Sequence, residues 1–258
     1  MHPMLNTAIQ AARAAGHIIL RYANQVDSIS VESKSRNDFV TEIDREAEKE
    51  IIYKLKRAYP DHSFLGEESG TTGEKDAKHQ WIIDPLDGTT NYLYGIPHYA
   101  ISIALKVDDV LDQAVVYDPL KEELFTASRG NGAQLNNHKI RVSARRTMSN
   151  ALIATGIPFR PEHDLEQWLN EIKKVQPETA GIRRAGVASL DLAYVAAGRF
   201  DGFWEHDLKA WDIAAGVLLI QEAGGLVSDL QGNNDFWESG NVMAGNPRVH
   251  AELAKLLD

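Results

Sequence analysis

The chain contains no cysteine among its 258 residues, which excludes disulfide bonds and thiol chemistry. No apolar run is long enough to span a bilayer, and the first residues lack a basic segment followed by an apolar core. Basic residues are also scarce, because 27 Lys and Arg stand against 37 Asp and Glu, for a formal net charge of −10. This acidic balance argues against electrostatic binding of nucleic acid. We therefore expect a cytoplasmic protein that binds neither a membrane nor nucleic acid directly.

The remaining composition is that of an ordinary globular enzyme. Apolar residues make up 43% of the chain and charged residues 25%. The length suits one large domain or two closely packed halves with ample core. On so acidic a chain, a phosphorylated substrate would need metal ions to offset local repulsion.

The segment from Trp81 to Asn91 combines an apolar run with a polar turn. Its first three residues, W-I-I, have the pattern of a buried strand end. Pro85 has no N–H to donate, so we expect it to end the strand. Asp84 would then lie where the strand leaves the sheet, and Asp87 would follow one tight turn later.

The next residues of this segment are suited to anion binding. Gly88 permits backbone conformations closed to other residues and lets a ligand approach closely. Thr89 and Thr90 supply hydroxyls and N–H groups at a helix start. Two carboxylates and the Leu86 carbonyl beside these groups could hold a hard cation and a phosphate together.

Two alternatives exist for this motif. An Asp-Gly pair after an apolar run is common in ordinary turns. The longer string D-P-L-D-G-T-T is more specific, since carboxylates, turn and hydroxyls follow in the order that a metal–phosphate site needs. The haloacid-dehalogenase pattern D-x-D-G-T, whose first Asp is a covalent nucleophile, is the nearest rival. Asp84 and Asp87 are three positions apart rather than two, which argues against it.

The hydrophobic pattern changes character near residue 145. Helices are predicted over the first twenty residues and from Glu42 to Tyr59, with a loop from Glu32 to Asp38 between them. An antiparallel meander follows between residues 101 and 143. Strands and helices alternate from about residue 147 onwards. The sequence thus predicts an α+β chain with halves 1–145 and 146–258 packed as one unit.

Three motifs together resemble the inositol monophosphatase family, closest to its bacterial inositol-1-monophosphatase members. They are D-P-L-D-G-T-T-N, an upstream G-E-E-S-G and a downstream W-D-I-A-A-G, and the similarity covers nearly the whole chain. The resemblance implies a layered α-β-α-β-α sandwich like that of sugar phosphatases. Its N-terminal sheet would be antiparallel, and a second, mixed sheet would be flanked by helices.

The resemblance also implies a metal site. Its ligands would be Glu67, Asp84, the Leu86 carbonyl, Asp87 and Asp212. Oxygen ligands without His or Cys favour Mg²⁺ over Zn²⁺, with two or three ions per site, and Li⁺ is the expected inhibitor. Four carboxylates this close could not stay ionised without cations among them.

The implied reaction is hydrolysis of a phosphomonoester by direct attack of water activated by the metal. The expected catalytic residues are Glu67 and the hydrogen-bonded pair Thr89 and Asp44. The expected substrate-contacting residues are Leu86, Asp87, Gly88, Thr89, Arg183, Gly186, Ala188, Glu205 and Asp212.

Several of these residues also have plain structural explanations. Asp44 could complement the dipole of its helix, and Asp212 could be an N-cap. Glu205 could be an exposed carboxylate at a strand end. Arg183 could be a solvated charge, and its neighbour Arg184 is expected to support a subunit or partner contact.

Two classes of function follow. The first is a Mg²⁺-dependent phosphatase acting on inositol 1-phosphate or a similar polyol or sugar phosphate. Fructose 1,6-bisphosphate, 3′-phosphoadenosine 5′-phosphate and histidinol phosphate are alternative substrates. The second is a binding protein that contacts RNA polymerase or an antitermination factor during transcription of ribosomal RNA. In both cases the resemblance implies a homodimer.

Overall fold

Two β-sheets organise the part of the chain that the structure describes. The structure is a computed structural model that describes residues 2–23, 31–35, 38–74, 76–158 and 164–257. A hairpin of β1 (Val31–Ser35) and β2 (Asp38–Thr41) precedes the sheets. The larger sheet consists, in spatial order, of β10 (His138–Lys139), β9 (Gly132–Leu135), β8 (Glu123–Ser128), β7 (Val110–Asp118), β6 (Ala100–Val107), β5 (His79–Asp87), β3 (Ser63–Gly66) and β4 (Gly70–Thr72).

The two sheets differ in strand direction. Neighbours in the larger sheet are antiparallel, apart from the parallel pair β3 and β5. The second sheet is mixed, since its strand β11 (Leu152–Thr155) is parallel to both of its neighbours and the remaining pairs are antiparallel. In spatial order it consists of β12 (Gly181–Arg183), β11 (Leu152–Thr155), β13 (Gly202–Glu205), β15 (Val242–Gly245) and β14 (Leu226–Ser228).

The helices fill the spaces on both sides of each sheet. Among the described residues they are α1 (Pro3–Tyr22), α2 (Glu42–Ala58), α3 (Thr89–Leu93), α4 (Leu165–Val175), α5 (Ala188–Ala196), α6 (Ala210–Glu222), α7 (Phe236–Ser239) and α8 (Pro247–Leu257). None of these helices combines the length and the apolar character that crossing a bilayer demands.

Successive side chains of a strand point to opposite faces of the sheet, so the larger sheet has a separate hydrophobic core on each face. On β6, Ile101, Ile103 and Leu105 belong to the core built with α1 and α2. Ala100 and Ala104 point the other way, into the core that contains α5 and α6. The larger sheet therefore separates the outer helix pair from the inner one.

The second sheet shares the inner helices with the first. Phe203 on β13 lies in the core that contains α5 and α6, whereas the next residue, Trp204, packs with Val249 and Leu253 of α8. The layers thus run α1 and α2, sheet, α5 and α6, sheet, α4 and α8. The predicted α-β-α-β-α sandwich is confirmed; its second sheet is mixed, and its N-terminal sheet is antiparallel except for the pair β3 and β5.

The inner helix α6 shows why its sequence carries no amphipathic pattern. Every residue from Ile213 to Ile220 is buried, because sheets lie on both sides of the helix. The same core contains residues from before and after position 145. The division into halves 1–145 and 146–258 stays a prediction.

Two local expectations were wrong. The predicted loop from Glu32 to Asp38 is largely the β1–β2 hairpin, and its residues 36 and 37 lie outside the described residues. Pro85 does not end β5 either. The register with β6 slips at this point, because Asp84 pairs with Ser102 and Asp87 with Ala100. Three steps on one strand thus match two on the other, a bulge in which the missing proline N–H is tolerated.

The contact between α5 and α6 yields a prediction about stability. A Cβ on Gly216 would lie 2.5 Å from the Leu192 Cβ, so Gly216→Ala must push the two helices apart. We expect a loss of about 1–3 kcal/mol in the free energy of unfolding, as for other overpacked cores. Urea denaturation would measure it.

The matched control is Gln221→Ala, an exposed position on the same helix. Its unfolding free energy should stay within about 0.5 kcal/mol of the original protein. Equal stability of both variants would show that the helices separate without cost.

Candidate active site

Several of the predicted site residues lie in the first turns of helices. Asp44 is the third residue of α2, Thr89 the first of α3, Ala188 the first of α5 and Asp212 the third of α6. The first turn of a helix exposes N–H groups that lack partners within the helix and carries partial positive charge. Such ends favour carboxylates and phosphates, which is the chemistry that the sequence motifs predict.

Asp84 lies at the bulge of β5 and is almost fully buried, with 2% exposure. Its Oδ1 accepts a hydrogen bond of 3.0 Å from the Leu86 N–H. Burial raises the pKa of Asp84 well above its ordinary value, and the negative charges of Glu67, Asp87 and Asp212 raise it further. The structure therefore brings three of the predicted carboxylates close enough for their charges to act on Asp84.

Asp87 connects this strand end to the second half of the chain. Its Oδ2 accepts a hydrogen bond of 2.7 Å from the backbone N–H of Ser189, in the first turn of α5. Burial raises the pKa of Asp87 to about 6, although the bonds from Ser189 act in the opposite direction. The start of α5 is thereby attached directly to the D-P-L-D-G-T-T segment.

Asp212 is not the N-cap of α6. Lys209 occupies that position, and its N–H donates a hydrogen bond of 2.7 Å to Asp212 Oδ2. The Ser102 hydroxyl on β6 donates to the carbonyl of Trp211 at 3.2 Å, which anchors the helix start against the larger sheet. Asp212 therefore closes its own helix turn while its charge acts on Asp84.

The donor set fits magnesium in its chemistry. All the predicted ligand atoms are oxygens, and a cation would relieve the repulsion that raises the pKa of Asp84. Over the described ranges, no three His, Asp or Glu side chains are grouped as a metal ion would require. The ligand set Glu67, Asp84, Leu86, Asp87 and Asp212 stays a prediction, and cation binding would have to draw these side chains together.

Thr89 lies between two of the predicted acceptors. Its Oγ1 is 3.0 Å from Asp44 Oδ1 and 3.1 Å from the Leu86 carbonyl oxygen. The other oxygen of Asp44 accepts hydrogen bonds from the N–H and the hydroxyl of Thr41, the N-cap of α2. Asp44 is fully buried, and burial raises its pKa. It therefore caps its helix and also contacts Thr89.

Gly88 separates the strand from α3 and must be glycine. Its φ is +96°, in the left-handed region. A Cβ at this position would lie 2.8 Å from Val187 Cγ2 and 3.2 Å from the His98 carbonyl oxygen. A side chain would therefore strain the backbone and also collide with its neighbours.

A second group of charges surrounds Glu205 at the end of β13. Burial raises the pKa of Glu205 to about 8, and the carboxylates of Asp191 and Asp87 add to the shift. The positive charge of Arg184 acts in the opposite direction. A Cβ on Gly156 would lie 1.8 Å from Glu205 Oε1, so the glycine leaves the space that this carboxyl fills.

The structure places the two arginines differently. The guanidinium of Arg183 turns back to the carbonyl of Ile182, 3.0 Å away, and is not brought to Glu205. Arg184 is the cation whose charge reaches Glu205 and Asp191. Gly186 has a φ of +77° in the turn that leads to Ala188, so the backbone of this turn also needs a glycine.

The sequence analysis missed four residues that contribute to the site or to the contacts around it. Asp191 is buried within the apolar helix α5, and its Oδ1 has no hydrogen-bond partner among the described residues. Ser189 acts through a backbone N–H, which no sequence motif reports. Glu48 accepts a hydrogen bond from the N–H of Glu68, and Gly156 leaves space for Glu205. Both are tertiary contacts that no local motif reports. The one signal available in the sequence was Asp191, a lone Asp inside an apolar helical run.

The family model described as the inositol monophosphatase family matches residues 1–258 of this chain. The chain belongs to the inositol monophosphatase family. Among curated relatives, the Nus factor SuhB of Pseudomonas aeruginosa is 54% identical over 258 residues, covering 98% of this chain and 95% of that protein. The Nus factor SuhB of Escherichia coli K12 is 49% identical, covering 100% and 97%.

Solved structures agree with this membership of the inositol monophosphatase family. The extragenic suppressor protein suhB of Bartonella henselae superposes with a TM-score of 0.97 at 46% identity, covering 100% of this chain and 99% of that one. The Thermotoga maritima IMPase superposes with a TM-score of 0.90 at 34% identity, covering 99% and 97%.

The environment of Glu205 predicts a pH dependence. The folded-state pKa of about 8 lies above the ordinary value of 4.5, so ionising Glu205 opposes folding. The protonated carboxyl imposes no such cost below pH 4.5, and stability is lost as the pH rises through 8. We expect Glu205→Gln to gain stability relative to the original protein between pH 5 and pH 9. Urea denaturation in chelator-treated buffer would measure it.

Carbon-13 NMR of the glutamate carboxyls provides the direct check. One resonance that titrates near pH 8 should disappear in Glu205→Gln. A stability difference that stays flat with pH, together with ordinary titration of every glutamate, would contradict the proposed environment.

Proposed function

We propose that this protein is a Mg²⁺-dependent phosphomonoesterase that hydrolyses inositol 1-phosphate or a related polyol or sugar phosphate. The main support is the group of carboxylates around Asp84 beside the hydrogen-bonded pair Thr89 and Asp44. Membership of the inositol monophosphatase family agrees with this chemistry.

Glu67, Asp84, the Leu86 carbonyl, Asp87 and Asp212 would hold two or three Mg²⁺ ions. When bound, the cations would neutralise phosphate charge and make water more acidic. No side chain needs to be phosphorylated in this reaction: water would attack the phosphorus directly while the bond from phosphorus to the polyol oxygen breaks, and that oxygen would take up a proton as the alcohol leaves. Li⁺ is proposed as an inhibitor.

Thr89 and Asp44 would handle the proton of the attacking water. The Thr89 hydroxyl would orient the water by accepting a hydrogen bond from it, while its own proton lies toward Asp44 Oδ1, 3.0 Å away. Burial raises the pKa of Asp44, which makes this carboxylate a better proton acceptor than an exposed aspartate. Thr41 holds the second oxygen of Asp44 in place, so the accepting oxygen is fixed.

The backbone at the start of α3 would bind the phosphate. The N–H groups of Gly88 and Thr89 would donate to its oxygens, and the left-handed conformation of Gly88 lets the ligand approach the chain closely.

Substrate selection is assigned to the second half of the chain. Glu205 would bind a polyol hydroxyl, and its raised pKa lets the carboxyl either donate or accept that hydrogen bond near neutral pH. The turn from Gly186 to Ala188 would offer a backbone N–H to another hydroxyl. Arg183 remains a candidate only if its side chain leaves Ile182 on substrate binding.

A substrate panel tests this function. We expect purified protein to release phosphate fastest from inositol 1-phosphate in the presence of Mg²⁺. Fructose 1,6-bisphosphate, 3′-phosphoadenosine 5′-phosphate and histidinol phosphate would be compared by kcat/KM. Excess EDTA should abolish turnover, Mg²⁺ should restore it and Li⁺ should inhibit it. Asp84→Asn should lower kcat by several orders of magnitude, since it removes a ligand charge.

The matched control is Asp109→Asn, the same substitution in an exposed turn. Asparagine tolerates the positive φ of this position, so activity should be unchanged. Full activity in excess EDTA would rule out the metal mechanism, whatever the preferred substrate.

A second function is supported by the relatives named Nus factor SuhB, at 54% and 49% identity. We propose that this protein forms a homodimer and also contacts RNA polymerase or an antitermination factor. The net charge of −10 favours contacts with protein rather than with nucleic acid. Such a role would place the protein in the bacterial cytoplasm.

Thr89→Ala would separate the two functions. The substitution removes the hydroxyl between Asp44 and Leu86 and leaves every predicted ligand in place. We expect the phosphatase rate to fall by a factor of roughly 10² to 10⁴. Binding to transcription proteins, measured with purified components, should not change.

Thr147→Ala, at an exposed threonine outside the site, is the control and should leave both properties intact. If Thr89→Ala weakens both catalysis and partner binding while the fold is preserved, the two functions share one conformation of the site.

A further inference from the structure

Glu48 is a buried carboxylate that the catalytic proposal does not use. It lies on α2 one turn after Asp44, and only 2% of its surface is exposed. The same face of the helix carries Ile43, Ala47 and Ile51, all fully or nearly fully buried. A carboxylate in such surroundings must be compensated by hydrogen bonds.

Both oxygens of Glu48 bind the loop that follows β3. The N–H of Glu68 donates to Oε2 at 3.0 Å, and the N–H of Ser69 donates to Oε1 at 2.9 Å. Two consecutive amides thus hold one carboxylate from both sides. Bonds from N–H groups to an ionised acceptor are among the stronger hydrogen bonds in proteins.

The glycine before this loop shows how closely the carboxylate packs. A Cβ on Gly66 would lie 2.4 Å from Glu48 Oε2 and 2.8 Å from Ser69 Oγ. Gly66 does not have a positive φ, so the backbone itself would accept alanine. The glycine is therefore needed for the contact with Glu48.

Glu67 lies between these fixed points. Its own N–H donates to the carbonyl of Ile83 at 3.1 Å, directly before Asp84 on β5. The two following N–H groups are held by Glu48. The loop backbone is thereby attached to β5 on one side and to α2 on the other, and Glu67 lies between the two attachments.

We propose that Glu48 is a positioning residue for a divalent cation, because it fixes the loop that presents the Glu67 carboxylate next to Asp84. This inference rests on the proposed metal-dependent phosphatase function. Glu67 and Asp84 repel each other, and a loop without attachment would relax away from the strand. With Glu48 in place, that relaxation would cost two charge-assisted hydrogen bonds.

The same helix then serves both parts of the site. Asp44 and Glu48 are four residues apart, so their Cβ atoms lie about 5–6 Å from each other on one helix face. Asp44 contacts Thr89, and Glu48 holds the loop of Glu67. Helix α2 thus carries the proton-accepting Asp44 itself and, through Glu48, holds the loop that carries the cation ligand Glu67.

Glu48→Gln is the test, since it preserves shape but offers one acceptor and places an NH₂ group against the second amide. We expect the Mg²⁺ concentration for half-maximal activity to rise about tenfold or more, as for other residues that support metal ligands. Calorimetric titration with Mg²⁺ alone should show the same weakening. At saturating Mg²⁺, kcat should stay within about twofold, because α2 keeps Asp44 in place.

Amide hydrogen exchange supplies a readout without metal or turnover. In metal-free protein, the amides of residues 68 and 69 should exchange at least about tenfold faster in Glu48→Gln, whereas those of the larger sheet should be unchanged. Glu46→Gln, the same substitution on the exposed face of α2, should alter neither exchange nor Mg²⁺ dependence.

Gly66→Ala is the second variant if Glu48→Gln does not fold. Its added Cβ would displace the same carboxylate and should shift the Mg²⁺ dependence in the same direction. If the original protein requires Mg²⁺ and Glu48→Gln requires no more of it than Glu46→Gln, the inference is overturned.

Wild-type activity that needs no Mg²⁺ would instead overturn the proposed function, and the role of Glu48 at a cation site with it. If activity needs no Mg²⁺ but the amides of residues 68 and 69 still exchange faster in Glu48→Gln, then Glu48 stabilises the loop without supporting a cation site.

Discussion

Repulsion between the buried carboxylate of Asp84 and its neighbouring carboxylates is the constraint on which the site depends. Asp84 is almost completely buried, and three further carboxylates act on its charge. Backbone N–H groups hold three members of the group: Leu86 donates to Asp84, Ser189 to Asp87 and Lys209 to Asp212. Each donor belongs to a strand end or a helix start, so the strands and helices themselves hold these carboxylates in place. A bound cation would complete the neutralisation of their charges.

The layered architecture explains why those helix starts meet. Helices α5 and α6 lie between two sheets, so their sides are largely apolar, and the polar groups that reach the site lie in their first turns. Close packing at Gly216 and Leu192 fixes one helix against the other. The N–H of Ser189 and the carboxylate of Asp212 are therefore positioned by the same contact that forms the inner layer.

The sequence predicted those parts of the site that are formed by residues close together along the chain. The string around Asp84 and Asp87 carries carboxylates, turn and hydroxyls within a few residues, and the five-layer fold followed from the resemblance. The bulge at Pro85 could not be predicted, because it depends on the register with β6. The roles of Glu48 and Asp191 were missed for a related reason: a buried acid and a solvated one look alike until the tertiary contacts are known.

Burial also bears on how one chain could serve two functions. Asp44 and Asp84 are enclosed by the core, so a partner that binds the surface cannot contact either carboxylate directly. Exposed side chains begin only a few residues away, since Tyr94 and Ile96 follow α3 with 75% and 48% of their surfaces exposed. A partner that binds there could influence catalysis by shifting α3, which carries Thr89. In the proposed mechanism the Thr89 hydroxyl acts through its 3.0 Å contact with Asp44, so even a small shift of this helix would alter the rate while the carboxylates stay in place.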